Sequence, residues 1–119
     1  MSTKVVVAGP RGRMGSEAIK MIINEPNFEL VGCIDRKNDG EKLQALQLQS
    51  DIDVTKYADV SVFDNPIECF EKVNPDVLVE LTVPESGFKN TKAAIEHHVR
   101  PVVGTSGFTN EQIKELSNL

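Results

Sequence analysis

The sequence predicts an α/β fold, a doubly wound parallel sheet of about five strands, and three observations carry that expectation. Short β-branched runs alternate with helical stretches along the whole chain, as in a parallel sheet covered on both faces. The first run opens directly onto three glycines spaced three apart, in "VVVAGPRGRMGSEAIK" from Val5 to Lys20. The second run, "LVGCID", ends in Asp35, twenty residues beyond Gly15.

The strands are expected at Lys4–Ala8, Glu29–Ile34, Val60–Phe63, Val77–Leu81 and Pro101–Val103, in the order 3-2-1-4-5. After the first strand the apolar spacing lengthens to a helical period, with Met14, Ala18, Met21 and Ile22 assigned to one face before Pro26 forbids continuation. The stretch Lys37–Asp59 has no clear period and reads as a short helix plus irregular loop. Asn65-Pro66 and Val83-Pro84 place proline where a first helical turn tolerates it. Thr109 and Gln112 form a capping box for a last helix that runs to the chain end.

With 119 residues, the chain is one domain, large enough for a real core and small for a complete two-substrate enzyme. A net charge of −5 argues against nucleic acid or a membrane surface as partner, because both attract a basic face. No apolar run approaches the roughly 20 residues of a membrane span, and "MSTK" lacks a hydrophobic signal core, so a cytoplasmic protein is expected. Cys33 and Cys69 form no C-x-x-C motif and read as small buried hydrophobes.

Gly9, Gly12 and Gly15 fall between the first strand and the first helix. A helix N-terminus offers free N–H groups and partial positive charge, and glycine lets a phosphate approach the backbone. The spacing G-x-x-G-x-x-G is one residue longer in its first interval than the dinucleotide fingerprint. Gly9 is expected to turn out of the strand, Gly12 to give the close phosphate approach, and Gly15 to let helix pack on sheet. Arg11 and Arg13 add charge for a pyrophosphate. A tight strand-to-helix turn with no ligand is the bland alternative. A P-loop is excluded because no G-K-[ST] follows.

A dinucleotide site needs an acid at the end of the second strand, about 20 residues on, for the ribose hydroxyls, and Asp35 meets that requirement. Arg36 and Lys37 follow it, and a basic pair there suits a 2′-phosphate. An acid and an arginine together imply that either NADH or NADPH is accepted. Lys37 is the member of the pair that reads more simply as part of a solvated turn.

Two further segments leave strands at their carboxyl ends, where open α/β sheets bind ligands. They are "ELTVPE", Glu80 to Glu85, and "VVGTSGF", Val102 to Phe108. Thr109 caps the next helix, which leaves the hydroxyls of Thr105 and Ser106 free for a ligand. Ser106 does not sit in the G-x-S-x-G of a hydrolase elbow. His97 and His98 are adjacent near a helix end, where their side chains diverge, so no metal site is expected.

The segments "VAGPRGRMG", "ELTVPE" and "VRPVVGTSGF" resemble the amino-terminal half of the 4-hydroxy-tetrahydrodipicolinate reductase (dihydrodipicolinate reductase) family of the diaminopimelate and lysine pathway. The resemblance covers nearly the whole chain. It implies a Rossmann-like nucleotide-binding domain over 1–119, truncated before its last strand. Cofactor contacts would come from Gly9, Pro10, Arg11, Gly12, Arg13 and Met14 at the pyrophosphate. Asp35 and Arg36 would serve the adenine-side ribose or its phosphate, and Thr82, Gly104, Thr105 and Ser106 the nicotinamide side. Leu81 stands where the family's D-F-T motif has phenylalanine, Glu80 where it has aspartate, and Ser106 where G-T-T-G has its second threonine.

The family's substrate grips and proton donor lie in a carboxy-terminal domain, marked by an E-x-x-x-H-H-x-x-K-like segment and P-S-G-T, neither of which occurs here. Catalysis is therefore assigned to no residue of this chain. The resemblance implies a cofactor-binding portion that meets its small-molecule substrate only with the missing domain, within a homo-oligomer at full length. The alternatives are a non-catalytic nucleotide-binding or sensor module, and the cofactor domain of another amino-acid pathway dehydrogenase.

Overall fold

The computed structural model describes residues 2–49, 51–105 and 107–119. Five strands, β1 (Thr3–Ala8), β2 (Phe28–Ile34), β3 (Val62–Phe63), β4 (Val77–Glu80) and β5 (Arg100–Val103), form one sheet in the order β3-β2-β1-β4-β5. Every neighbouring pair is parallel. Four helices connect or follow the strands: α1 (Arg13–Ile23), α2 (Pro66–Val73), α3 (Pro84–Glu96) and α4 (Asn110–Ser117). The expected strand order holds, and all strand carboxyl ends meet at one edge.

Strand side chains alternate between faces, and the two halves of the core follow that alternation. Val6, Ala8 and Leu78 pack with Phe70 of α2 and Ala93 of α3. Val5, Val7 and Leu30 pack with Ile19 and Ile22 of α1 and with Leu43 and Leu46. Both cysteines are buried and unpaired, and burial pushes both thiols up, Cys69 to about 12. They serve as small apolar residues, as expected.

The expected face of α1 is corrected. Ile22 is buried, but Met14 and Met21 are exposed, and the inward stripe is Gly15, Ser16, Ile19 and Ile22. The period is carried at its start by two small residues that an apolar pattern passes over. Gly15 is inward because α1 rests on the preceding turn, and a Cβ there would overlap the Gly9 carbonyl oxygen.

Element ends differ where neighbours decide pairing. The third strand is only Val62–Phe63 because Val60 and Ser61 are held by the preceding loop, with Leu43 N–H donating to Val60 C=O (2.8 Å) and Lys42 bridging Ser61 antiparallel. The strand β5 begins one residue early, where Arg100 N–H reaches Asp76 C=O at 3.0 Å. The segment 37–59 contains two single 3₁₀ turns, Leu43–Ala45 and Thr55–Tyr57, where one short helix was expected.

The caps match the sequence signals. The Asn65 side chain accepts from Ile67 N–H (2.9 Å) and Glu68 N–H (3.3 Å), and Pro66 takes the first turn of α2. Thr109 and Gln112 form a reciprocal box at 2.9 and 3.1 Å, which starts α4. This helix buries no residue and is tied to α3 by a Lys92–Glu115 ion pair of 2.7 Å.

The seating of α1 on Gly9 yields a stability test. Gly15→Ala must push helix from turn, backbone against backbone, and is expected to cost about 2–3 kcal/mol, as overpacking does. Urea denaturation measures it, and unchanged stability would mean that the contact is soft.

Candidate functional site

The turn between β1 and α1 is shaped by glycines with different causes. Gly9 has φ +88°, a conformation L side chains rarely adopt, and a Cβ there would also overlap the Leu81 carbonyl. Gly15 is required by close packing, as above. Gly12 has neither reason: it is the N-cap of α1 with an ordinary extended φ of −74°, and a Cβ would meet only the Gly9 oxygen at an unremarkable 3.5 Å. Among the described residues no side chain caps this helix, and its first turn carries no acid, so its N–H groups and partial charge are presented beside Gly12.

Ser16 and Gln49 brace this turn from beneath. Ser16 Oγ donates to Pro10 C=O (2.9 Å) and accepts from Gln49 N–H (3.0 Å), while Gln49 Nε2 donates to Arg11 C=O (3.0 Å). Sequence reasoning missed both residues. The only signal was a serine within the first turn of an otherwise apolar helix face. Pro10 is itself fully buried and presents no side chain to the site.

Asp35 stands at the end of β2, buried, with its carboxylate turned towards the glycine turn. Arg11 grips it through Nε on Oδ2 and through Nη2 on Oδ1 at 3.1 Å. Lys37 N–H (3.0 Å) and Asn38 Nδ2 (3.0 Å) also donate to it. Burial alone would raise this carboxyl, but the hydrogen bonds from Arg11, Lys37 and Asn38 and the charge of Arg11 outweigh it and hold the group below the usual carboxylate range. Arg11, expected to add charge at a pyrophosphate, here places its guanidinium on Asp35. A buried carboxylate needs a partner, and Arg11 is the cation the turn places within reach.

Arg36 points elsewhere. Successive residues leaving a strand face opposite sides, and Arg36 lines a separate cleft with Ile34, Asp64, Glu85, Lys89 and Asn90, between the ends of β2 and β3 and the start of α3. Asp35 and Arg36, expected to act as a pair, occupy adjacent compartments. Arg13 and Met14 are exposed at the start of α1, and Met14 lies by Leu81 and Gly104.

At the other side of the site, the ends of β4 and β5 are joined. Gly104 N–H donates to Glu80 C=O at 2.9 Å, and a Cβ on Gly104 would overlap the Leu81 side chain. The Glu80 side chain is fully buried on the α3 side of the sheet. Its Oε1 accepts from Thr82 Oγ1 (2.8 Å) and Asn90 Nδ2 (2.9 Å), and its Oε2 from Thr82 N–H (3.0 Å) and Thr105 Oγ1. The reading of Thr105 as a free hydroxyl is therefore corrected: its proton is engaged by Glu80. Ser106 lies outside the described residues. The His97 ring turns back to Ala93 C=O through Nδ1 at 2.8 Å. Among the described residues no group of three or more His, Cys, Asp or Glu could hold a metal, and no helix is long and apolar enough to cross a membrane.

This arrangement has three features of a dinucleotide cradle along one sheet edge: an uncapped helix N-terminus behind a glycine that the protein itself does not require, an acid at the end of β2, and two hydroxyl-bearing loops at the ends of β4 and β5.

Known proteins resemble this chain in both sequence and fold. Residues 3–119 match the family described as dihydrodipicolinate reductase, N-terminus. The chain is 49% identical over 120 residues to the 4-hydroxy-tetrahydrodipicolinate reductase of Oceanobacillus iheyensis, covering 100% of this chain and 43% of that protein. It is 50% identical over 116 residues to that of Bacillus velezensis, covering 98% and 41%. The dipicolinate-bound dihydrodipicolinate reductase of Paenisporosarcina sp. TG-14 superposes with a TM-score of 0.79 at 35% identity, over 99% of this chain and 43% of that one. The chain thus spans about two fifths of the length of these relatives, and it belongs to the dihydrodipicolinate reductase family, matching its N-terminal part.

Proposed function

We propose that this chain binds NADH or NADPH along the carboxyl edge of its sheet, as the cofactor-holding part of a reductase that delivers hydride to 4-hydroxy-tetrahydrodipicolinate. The observation that carries the reading is Gly12. The fold explains Gly9 and Gly15 by backbone packing, whereas the space in front of Gly12 is open and faces an uncapped helix N-terminus. A pyrophosphate accounts for a glycine there.

The reduced nicotinamide supplies the hydride, and the protein supplies position and electrostatics. Gly12 and the first turn of α1 hold the pyrophosphate. Asp35 accepts from the adenine-side ribose, sharing its oxygens with Arg11, whose charge offsets repulsion of a 2′-phosphate. Arg36 stands in the neighbouring cleft to attract that phosphate. Thr82, Gly104 and Thr105 flank the nicotinamide end. The substrate and its proton donor are assigned to the part of the relatives outside the matched segment, so this chain is proposed to bind cofactor without turnover.

Three measurements test these roles. In NADH fluorescence titrations, Gly12→Val should abolish binding in a variant that still folds, since a Cβ here meets the Gly9 oxygen at an ordinary 3.5 Å and an altered N-cap costs only about 1 kcal/mol. Unchanged affinity in the folded variant returns the glycine to a plain turn, and turnover by the chain alone would overturn the division of labour.

Arg36→Ala should weaken NADPH roughly tenfold while changing NADH little, the scale of one charge-assisted hydrogen bond. Equal losses for both cofactors would mean that Arg36 does not read the 2′ position.

The Asp35 carboxyl is lower in the folded than in the unfolded chain. Its contribution to stability is therefore complete above its unfolded value, near 4, and disappears as pH falls through the folded one. Asp35→Asn should lower Tm at pH 7 and flatten its decline below about pH 4. A parallel decline in both proteins would mean that Asp35 is not coupled to folding.

A further inference from the structure

Resting on the cofactor reading, the geometry points to Glu80 as a positioning residue that fixes the hydrogen-bond polarity of the nicotinamide end. By taking the protons of Thr82 and Thr105, we infer, it leaves their lone pairs to select a ligand that donates, a carboxamide, over one that accepts, a carboxylate.

The carboxylate of Glu80 is an acceptor only, and both its oxygens are filled. Four donors from three separate segments converge on it: Thr82 N–H and Oγ1 from the turn after β4, Asn90 from α3, and Thr105 Oγ1 from the turn after β5. A hydroxyl has one proton and two lone pairs, so a proton committed inward leaves acceptor capacity outward. Among the described residues, the other acceptors within reach of the two hydroxyls are backbone carbonyls at longer range, Val83 C=O at 3.2 Å from Thr82, and Thr82 C=O at 3.3 Å and Glu80 C=O at 3.4 Å from Thr105. The carboxylate therefore holds both protons.

The site is built around this group. A Cβ on Gly87, in the first turn of α3, would come within 3.0 Å of both Glu80 Oε2 and Thr105 Cγ2, so the helix is bare where the carboxylate lies. Two of the four donors are adjustable hydroxyls, and one, Thr82 N–H, is fixed by the backbone. An amide in place of the carboxylate keeps one acceptor oxygen, which Thr82 N–H claims. The amide NH₂ then faces Thr82 Oγ1 and Asn90, and the proton of Thr82 must find another acceptor.

The test compares three probes by calorimetry: NAD⁺, nicotinic acid adenine dinucleotide, whose carboxylate replaces the carboxamide, and ADP-ribose, which lacks the ring. The parent chain is expected to bind NAD⁺ at least tenfold more tightly than the nicotinic acid form. Glu80→Gln should narrow that ratio several-fold while ADP-ribose affinity is retained, a result that general loosening of the fold would not give. Thr105→Val, which keeps the side-chain shape and deletes one outward acceptor, should narrow the ratio in the same way and decides the matter if Glu80→Gln does not fold. A parent chain that binds both dinucleotides equally, or a ratio unchanged in the folded variants, overturns the role of Glu80 alone. A parent chain that binds none of the three overturns the cofactor reading and this inference with it.

Discussion

The architecture of the site depends on the approach of α1 to the Gly9 carbonyl. Because Gly15 has no side chain, the first turn of the helix can rest on the backbone that leaves β1, and everything at this edge is placed relative to that contact. Gly9 in turn lies against the Leu81 carbonyl, so the same turn sets the distance between β1 and the end of β4. Any side chain at either glycine separates elements that three-way packing requires to touch.

Two buried carboxylates sit on either side of this contact and are treated differently. Asp35 is answered by a cation, and Glu80 by neutral donors alone among the described residues. The Arg11–Asp35 pair borders solvent at its arginine end. Glu80 is sealed, and its donors tie the turns after β4 and β5 to α3. A charge that can be shared suits a ligand contact, whereas a fully satisfied one suits a framework.

The exposed apolar residues follow from the same layout. Among the described residues, α1 and the irregular segment cover one face of the sheet, while α2 and α3 cover the other. Val102 on β5 and Met14 and Met21 on α1 are consequently left open, as is the side of α4 that carries Ile113.

Much of this was legible in the sequence because it is encoded locally. β-Branched runs, proline at helix starts and the Thr109–Gln112 box specify elements through neighbours a few residues away. Strand order follows from the alternation of strands with helices, and the spacing from Gly15 to Asp35 follows from the length of one strand–helix–strand unit. The apolar period failed on α1, where glycine and serine, not methionine, face the sheet. Partner choice was also beyond it. Arg11 finds Asp35 24 positions away, Gln49 finds Ser16 33 positions away, and Thr105 finds Glu80 25 positions away. Which donor reaches which buried oxygen depends on which strand ends become neighbours and how closely their backbones approach, and only the assembled sheet determines that.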